Sequence, residues 1–201
     1  MISKTILYYT SNHENSKFEQ KIKDNILEQC WDLPIISVSQ QPIKFGHNIC
    51  VGDIGHSYLN IFKQILIGAK EAVTDYLVFC EADFLYPQEY FEFEPMGGNL
   101  YRYNNVWLVF KHKGQHFYRK KWSNGAQIAK REWVIDTLEK YLKNPVHDYN
   151  GAEFEYIQGN IPCISFKTGD GMTKWSMFEK EKRKYLPQWG EVGEVRRKYL
   201  C

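Results

Sequence analysis

The chain has 201 residues, 43% of them hydrophobic and 25% charged, enough for one domain with a full apolar core and too balanced for intrinsic disorder. Lys and Arg total 26 against 24 Asp and Glu, a formal net charge of +2, which excludes a uniform polycation coating nucleic acid. Aromatic residues reach 16%, with 14 Tyr and 12 Phe, a supply that serves core packing or stacking on sugars and bases alike.

The segment TILYY, residues 5–9, is rich in strand formers and ends at the polar run TSNHENS. Phe18, Ile22, Ile26 and Cys30 then recur every four residues, one face of an amphipathic helix. PIISVS follows as a second strand, entered through its proline. The glycine-rich connection FGHNICVGDIGHS leads to a second helix carrying Leu59, Phe62, Leu66, Ala69 and Val73, with Ser57 as its N-cap. YLVFC is a third strand, continuously apolar as expected where both faces are covered. This β-α-β-α-β order predicts an α/β fold with a mostly parallel sheet flanked by helices. Beyond residue 95 the pattern is weaker. NNVWLVF and IPCISF read as strands, and GAQIAKREWVIDTLEKYL reads as a helix with Ile128, Ile135, Leu138 and Leu142 on one side. The five cysteines form no CxxC pair, the opening residues carry no signal-peptide core, and no run is long enough to span a bilayer. These features predict a soluble cytoplasmic protein with reduced thiols.

The stretch FCEADFLYP places Glu81 and Asp83 directly after the third strand. Ligands of open α/β sheets bind outside the carboxyl ends of the strands. In an extended backbone residues i and i+2 point the same way, so both carboxylates are expected to face the crevice and Ala82 the packing side. Two such oxygens suit Mg²⁺ or Mn²⁺, which also accept water and phosphate oxygens and neutralise a departing diphosphate. An acid-x-acid triplet is by itself common in solvated loops; its position after a buried strand is what gives it weight. His112 and His116 have an i, i+4 spacing, but Gly114 lies between them in an unpatterned loop, which argues against zinc.

Together, LYYTSN, PIISVSQQPIKFGHNICVG, NIFKQILIGAKEA, DYLVFCEADFLYPQEYFEF and YRYNNVWLV resemble the GT-A glycosyltransferases. Within that group the chain is similar to the small family-2-like enzymes of bacteriophages and related bacteria. The resemblance covers about the first half of the chain. It implies a single GT-A-like domain with a nucleotide-sugar-binding half, 1–95, and an acceptor-binding half, 96–201. It also implies a nucleotide-sugar donor, with a UDP-sugar expected, a divalent cation (Mn²⁺ or Mg²⁺) and a hydroxyl acceptor. Glu81-Ala82-Asp83 matches the DxD-like motif, with Asp83 at the more metal-critical position. Tyr9, Thr10, Ser11 and Asn12 match the place that receives base and ribose, although a plain polar turn would look the same. Asp53 is a candidate contact in the stretch from Gly46 to Gly55.

The segment WSNGA resembles the loop where donor sugar and acceptor meet, making Trp122, Ser123 and Asn124 acceptor candidates; Ser123 equally fits a helix cap. For proton removal from the acceptor the resemblance favours Glu153, then Asp148; either could be a surface acid. A late metal-binding histidine common among relatives is missing from KTGDGMTKW, where Asp170 is the substitute ligand and Lys167 and Lys174 are alternative partners for the diphosphate. The run KHKGQHFYRKKW, including Lys120 and Lys121, interleaves bases and aromatics and suits a DNA acceptor such as hydroxymethylated pyrimidines. Other readings stay open: transfer to a surface glycan, a sugar-nucleotide nucleotidyltransferase (disfavoured because TSNHENSKF has no glycine), and a non-catalytic nucleotide- or nucleic-acid-binding relative.

Overall fold

The computed structural model describes residues 2–144, 152–169 and 180–201. In chain order the first half reads β1 (Lys4–Thr10), α1 (Ser16–Gln29), β2 (Ile35–Ser39), β3 (His47–Cys50), α2 (Tyr58–Glu71), β4 (Tyr76–Glu81), β5 (Phe84–Leu85) and α3 (Gln88–Glu92). Then come β6 (Leu100–Tyr103), β7 (Val106–Phe110), β8 (Phe117–Lys120), β9 (Gln127–Lys130), α4 (Arg131–Lys143), β10 (Glu155–Ile157) and β11 (Cys163–Lys167). Short strands β12 (Lys182–Arg183), β13 (Tyr185–Leu186) and β14 (Gly190–Glu191) precede α5 (Val192–Leu200).

The main sheet has the order β10-β6-β9-β4-β1-β2-β3. Its half from β4 to β3 is wholly parallel, while β9 lies antiparallel between β4 and β6. All seven residues of β1 are buried, which explains its unbroken run of strand formers. Its side chains alternate between two cores. Ile6 and Tyr8 meet Phe18, Ile22 and Ile26 of α1, whereas Leu7 and Tyr9 join Phe62, Ile65 and Ala69 of α2 and Val134 and Leu138 of α4. A second sheet, β12-β8-β7-β11-β5, adjoins the carboxyl end of β4 through β5.

Helix α1 forms on the expected face, capped by Asn15, whose side chain accepts from the Lys17 and Phe18 amides. Helix α2 is capped by Ser57 as expected, through the Asn60 amide. Its buried face is shifted, however. Phe62, Ile65 and Ala69 are inside, while Leu59 is exposed and Val73 lies past the helix end. Gly68 faces the sheet so closely that a Cβ would stand 2.2 Å from Leu7 Cδ1. We expect Gly68→Ala to lower stability by about 1–3 kcal/mol through overpacking. Urea unfolding tests it, and an unchanged midpoint would contradict that packing.

Three sequence expectations need correction. Residues 125–142 are not one helix: Gln127–Lys130 forms β9, and α4 starts at Arg131. Ile128 has helical spacing from the residues downstream, but pairing with β4 and β6 recruits it into the sheet. The glycine-rich connection holds β3, and the segment before NNVWLVF holds β6. The extended backbone also stops at Glu81, with Ala82 and Asp83 in a turn. All five cysteines are free thiols, with Cys30, Cys80 and Cys163 buried and Cys50 and Cys201 exposed. No helix among the described residues is long and apolar enough to cross a membrane.

Candidate nucleotide-sugar site

The carboxyl ends of β1 and β4 open onto a cleft of about 430 Å³. One wall is Tyr9, Thr10 and Ser11; the floor is Glu81, Ala82 and Asp83. Lys120 comes from the end of β8, Trp122, Ser123 and Asn124 from the loop between β8 and β9, and Lys167 from the end of β11. Ile61, Phe62 and Ile65 of α2 supply an apolar side. Because Ala82 and Asp83 turn, strand alternation is not what aims the two carboxylates into one space. The turn itself does so.

Several bonds hold that turn. Parallel register sets Tyr9 beside Glu81, and the Tyr9 hydroxyl donates to Glu81 Oε1 at 2.9 Å. The Tyr86 hydroxyl accepts from the Glu81 amide at 2.8 Å and donates to the Gly125 carbonyl at 2.6 Å. Burial pushes the Tyr86 phenol well up, so it stays protonated and keeps that clamp. The Phe166 amide donates to the Asp83 carbonyl at 2.8 Å, tying the turn to β11. Gly125 leaves space for the acid: a Cβ there would lie 2.5 Å from Glu81 Oε2.

The cleft concentrates charge of both signs. Burial, followed by the neighbouring Asp83 carboxylate, pushes Glu81 up to about 7. Lys167 Nζ sits 3.1 Å from Asp83 Oδ2, both side chains being largely buried. Lys120 donates to Ser123 Oγ at 3.0 Å, and burial together with Lys167 lowers its ammonium to about 8. Trp122 is held from behind, with the Arg102 guanidinium 3.9 Å from its ring centroid and 4.4 Å from that of Phe154.

Eleven of the site residues named from the sequence therefore line one cleft: Tyr9, Thr10, Ser11, Glu81, Ala82, Asp83, Lys120, Trp122, Ser123, Asn124 and Lys167. Ala82 also packs into the core, as expected. Asn12 does not line it; with φ at +58°, its Oδ1 accepts from the Gln40 and Gln41 amides and braces the loop after β2. Asp53 is exposed outside the cleft and accepts from the Gly55 amide. Lys121 and Glu153 are exposed and do not line it. Ser123 is no helix cap, since a strand follows it. Asp148, Asp170 and Lys174 lie outside the described residues.

Sequence reasoning missed Gln64, Glu14, His56, Tyr58 and Gln127, which also line the cleft. Gln64 donates to the Thr10 and Val38 carbonyls, fastening α2 to the ends of β1 and β2. A polar residue within the buried stretch of α2 was its only signal.

Glu81 and Asp83 suit a divalent cation that completes its coordination with diphosphate oxygens and water. Among the described residues no group of three or more His, Cys, Asp and Glu has metal-holding geometry, and Asp170, the further ligand named from the sequence, lies outside them. The burial of Glu81 beside the Asp83 charge, which disfavours the Glu81 carboxylate, is what a bound cation would relieve.

No protein-family model and no curated protein matches the sequence. Among solved structures, the chain is similar to the bifunctional IspDF from Campylobacter jejuni, with TM-score 0.52 and 11% identity over 79% of this chain and 50% of that one. The fold is GT-A-like. A mannosyltransferase, PcManGT from Pyrobaculum calidifontis, determined in complex with GDP-Man and Mn²⁺, aligns at TM-score 0.48 and 13% identity over 82% of this chain and 56% of that one. The chain spans about half the length of each. In this GT-A-like fold the paired acids stand at the carboxyl edge of the parallel strands, where nucleotides bind in open sheets.

Proposed function

We propose that this chain is a glycosyltransferase that moves a sugar from a nucleotide-diphosphate donor, a UDP-sugar in the simplest case, to a hydroxyl acceptor. The supporting observation is the meeting of Glu81, Asp83, Lys120 and Lys167 in one cleft beside Tyr9, Thr10 and Ser11. Glu81 and Asp83 would hold Mn²⁺ or Mg²⁺; when bound, the ion stabilises negative charge on the leaving diphosphate. Tyr9 and Tyr86 orient Glu81 by hydrogen bonds to its side chain and backbone. Lys120, fixed by Ser123, places a second positive charge against the diphosphate.

Trp122 offers a flat ring to a sugar or base at the acceptor end. Glu153 is the proposed base for the acceptor hydroxyl, one residue before Phe154, whose ring centroid is 6.2 Å from that of Trp122. Asp148 is the second candidate. Hydroxymethylated pyrimidines in phage DNA are the proposed special case of the acceptor, resting on exposed Lys121 of the run KHKGQHFYRKKW and on exposed Arg197 and Lys198 of the C-terminal run EVRRKYL. Two other bases of these runs have internal duties: Arg119 donates to Asn105 Oδ1, and Arg196 to the Phe110 carbonyl.

The test is donor turnover. Incubated with UDP-glucose and Mn²⁺, the protein should release UDP slowly, and faster when hydroxymethylated DNA or a polyhydroxylated acceptor is added. Absence of release from a panel of UDP- and GDP-sugars, with either metal and every acceptor, would overturn the proposal.

A further inference from the structure

Among the described residues lining the cleft, Lys167 is the cation that touches a proposed metal ligand directly. Its position is fixed at both ends. The Lys111 amide, just past the end of β7, donates to the Lys167 carbonyl at 3.0 Å and extends the β7–β11 pairing. The adjoining Phe166 amide donates to the Asp83 carbonyl at 2.8 Å. The Lys167–Asp83 contact is therefore set by backbone pairing between segments 84 residues apart, not by chance approach of two surface chains. The lysine side chain is 12% exposed and the aspartate 17%, so the pair is largely withdrawn from water and each is the other's nearest countercharge.

Charge counting makes the contact informative. At the acidic turn two carboxylates, Glu81 and Asp83, face two ammoniums, Lys120 and Lys167, with Glu14 a further carboxylate on the cleft lining. A divalent cation entering alone would meet two like charges and an occupied Asp83. A diphosphate entering alone would meet two carboxylates. Arriving together, the two neutralise each other, but only if Lys167 leaves Asp83 and finds a new anion within the reach of its flexible stem.

We propose that Lys167 is an exchangeable internal cation, neutralising Asp83 in the donor-free protein and moving onto the donor's diphosphate when a divalent cation takes the aspartate. The inference rests on the glycosyltransferase reading above and deepens it by giving the diphosphate a ligand and metal and donor a reason to bind as a pair. Removing the ammonium then has opposite effects on the two ligands, which a merely structural lysine would not produce.

Calorimetry with Mn²⁺ alone, and with pyrophosphate in the presence of Mn²⁺, on the native chain and on Lys167→Met tests this. The variant should bind Mn²⁺ alone about tenfold more tightly and Mn²⁺-pyrophosphate about tenfold more weakly. Affinities that stay equal, or shift in the same direction, overturn the exchange while leaving the proposed function standing. Failure of the native chain to bind Mn²⁺ even with pyrophosphate sinks both. Should the variant not fold, lysine acylation of the native chain read by mass spectrometry decides instead. Mn²⁺ alone should raise labelling at Lys167 and Mn²⁺ with pyrophosphate should lower it; labelling indifferent to both overturns the exchange.

Discussion

Asp83→Asn is expected to reduce Mn²⁺-dependent donor turnover by about 100-fold or more, because the lost charge is the one aimed at the cation while diphosphate charge develops. Folding should survive. The substitution is isosteric, and the contact that anchors the turn, from the Phe166 amide to the Asp83 carbonyl, is made by backbone. Lys167 loses its partner but keeps a route into the open cleft, where water can solvate it. UDP release and a thermal melt, measured side by side, check both halves. Turnover within threefold of the native protein would remove Asp83 from the metal site.

Gly125→Ala should have the second large effect, through Glu81. The added Cβ would lie 2.5 Å from Glu81 Oε2 and 2.6 Å from Glu81 Cδ, and no φ in the left-handed region is at stake. The carboxylate is the movable partner, so the clash is relieved by turning Glu81 away from the Tyr9 hydroxyl, with little cost to the fold. Turnover should fall by roughly tenfold or more while the melt stays close to native. A cycle identifies the cause: in a Glu81→Ala background the glycine substitution should add nothing. A full additional loss there would place the damage elsewhere in the loop.

Part of this architecture is legible along the chain, for identifiable reasons. TILYY and YLVFC announce the sheet centre because strands buried on both faces need no polar alternation. The Glu81–Asp83 tip stands out because charge directly after such a strand has nowhere to go but the edge where ligands sit. Ser57 marks the start of α2 through capping chemistry alone. The rest depends on partners distant in sequence. Ile128 fits a helical stripe until β4 and β6 claim it. Gln64 ties the α2 wall to the ends of two strands, which no local pattern encodes. Lys167 could be named as a phosphate partner from its loop, yet its pairing with Asp83 appears only once β5 and β11 align. Glu153, chosen for its place after a glycine turn, shows how little a lone acid reveals, since it sits exposed beside the cleft and not on its lining.

Calorimetric binding of a UDP-sugar in the presence of Mn²⁺, compared between the native chain and the Glu81→Gln/Asp83→Asn double variant, bears on all of this at once. The native chain should bind the pair with mutual enhancement, and the double variant should lose that enhancement and at least about tenfold in affinity. Equal affinity in the two proteins, with or without the metal, would mean that the acidic turn is not where a cation and a diphosphate meet.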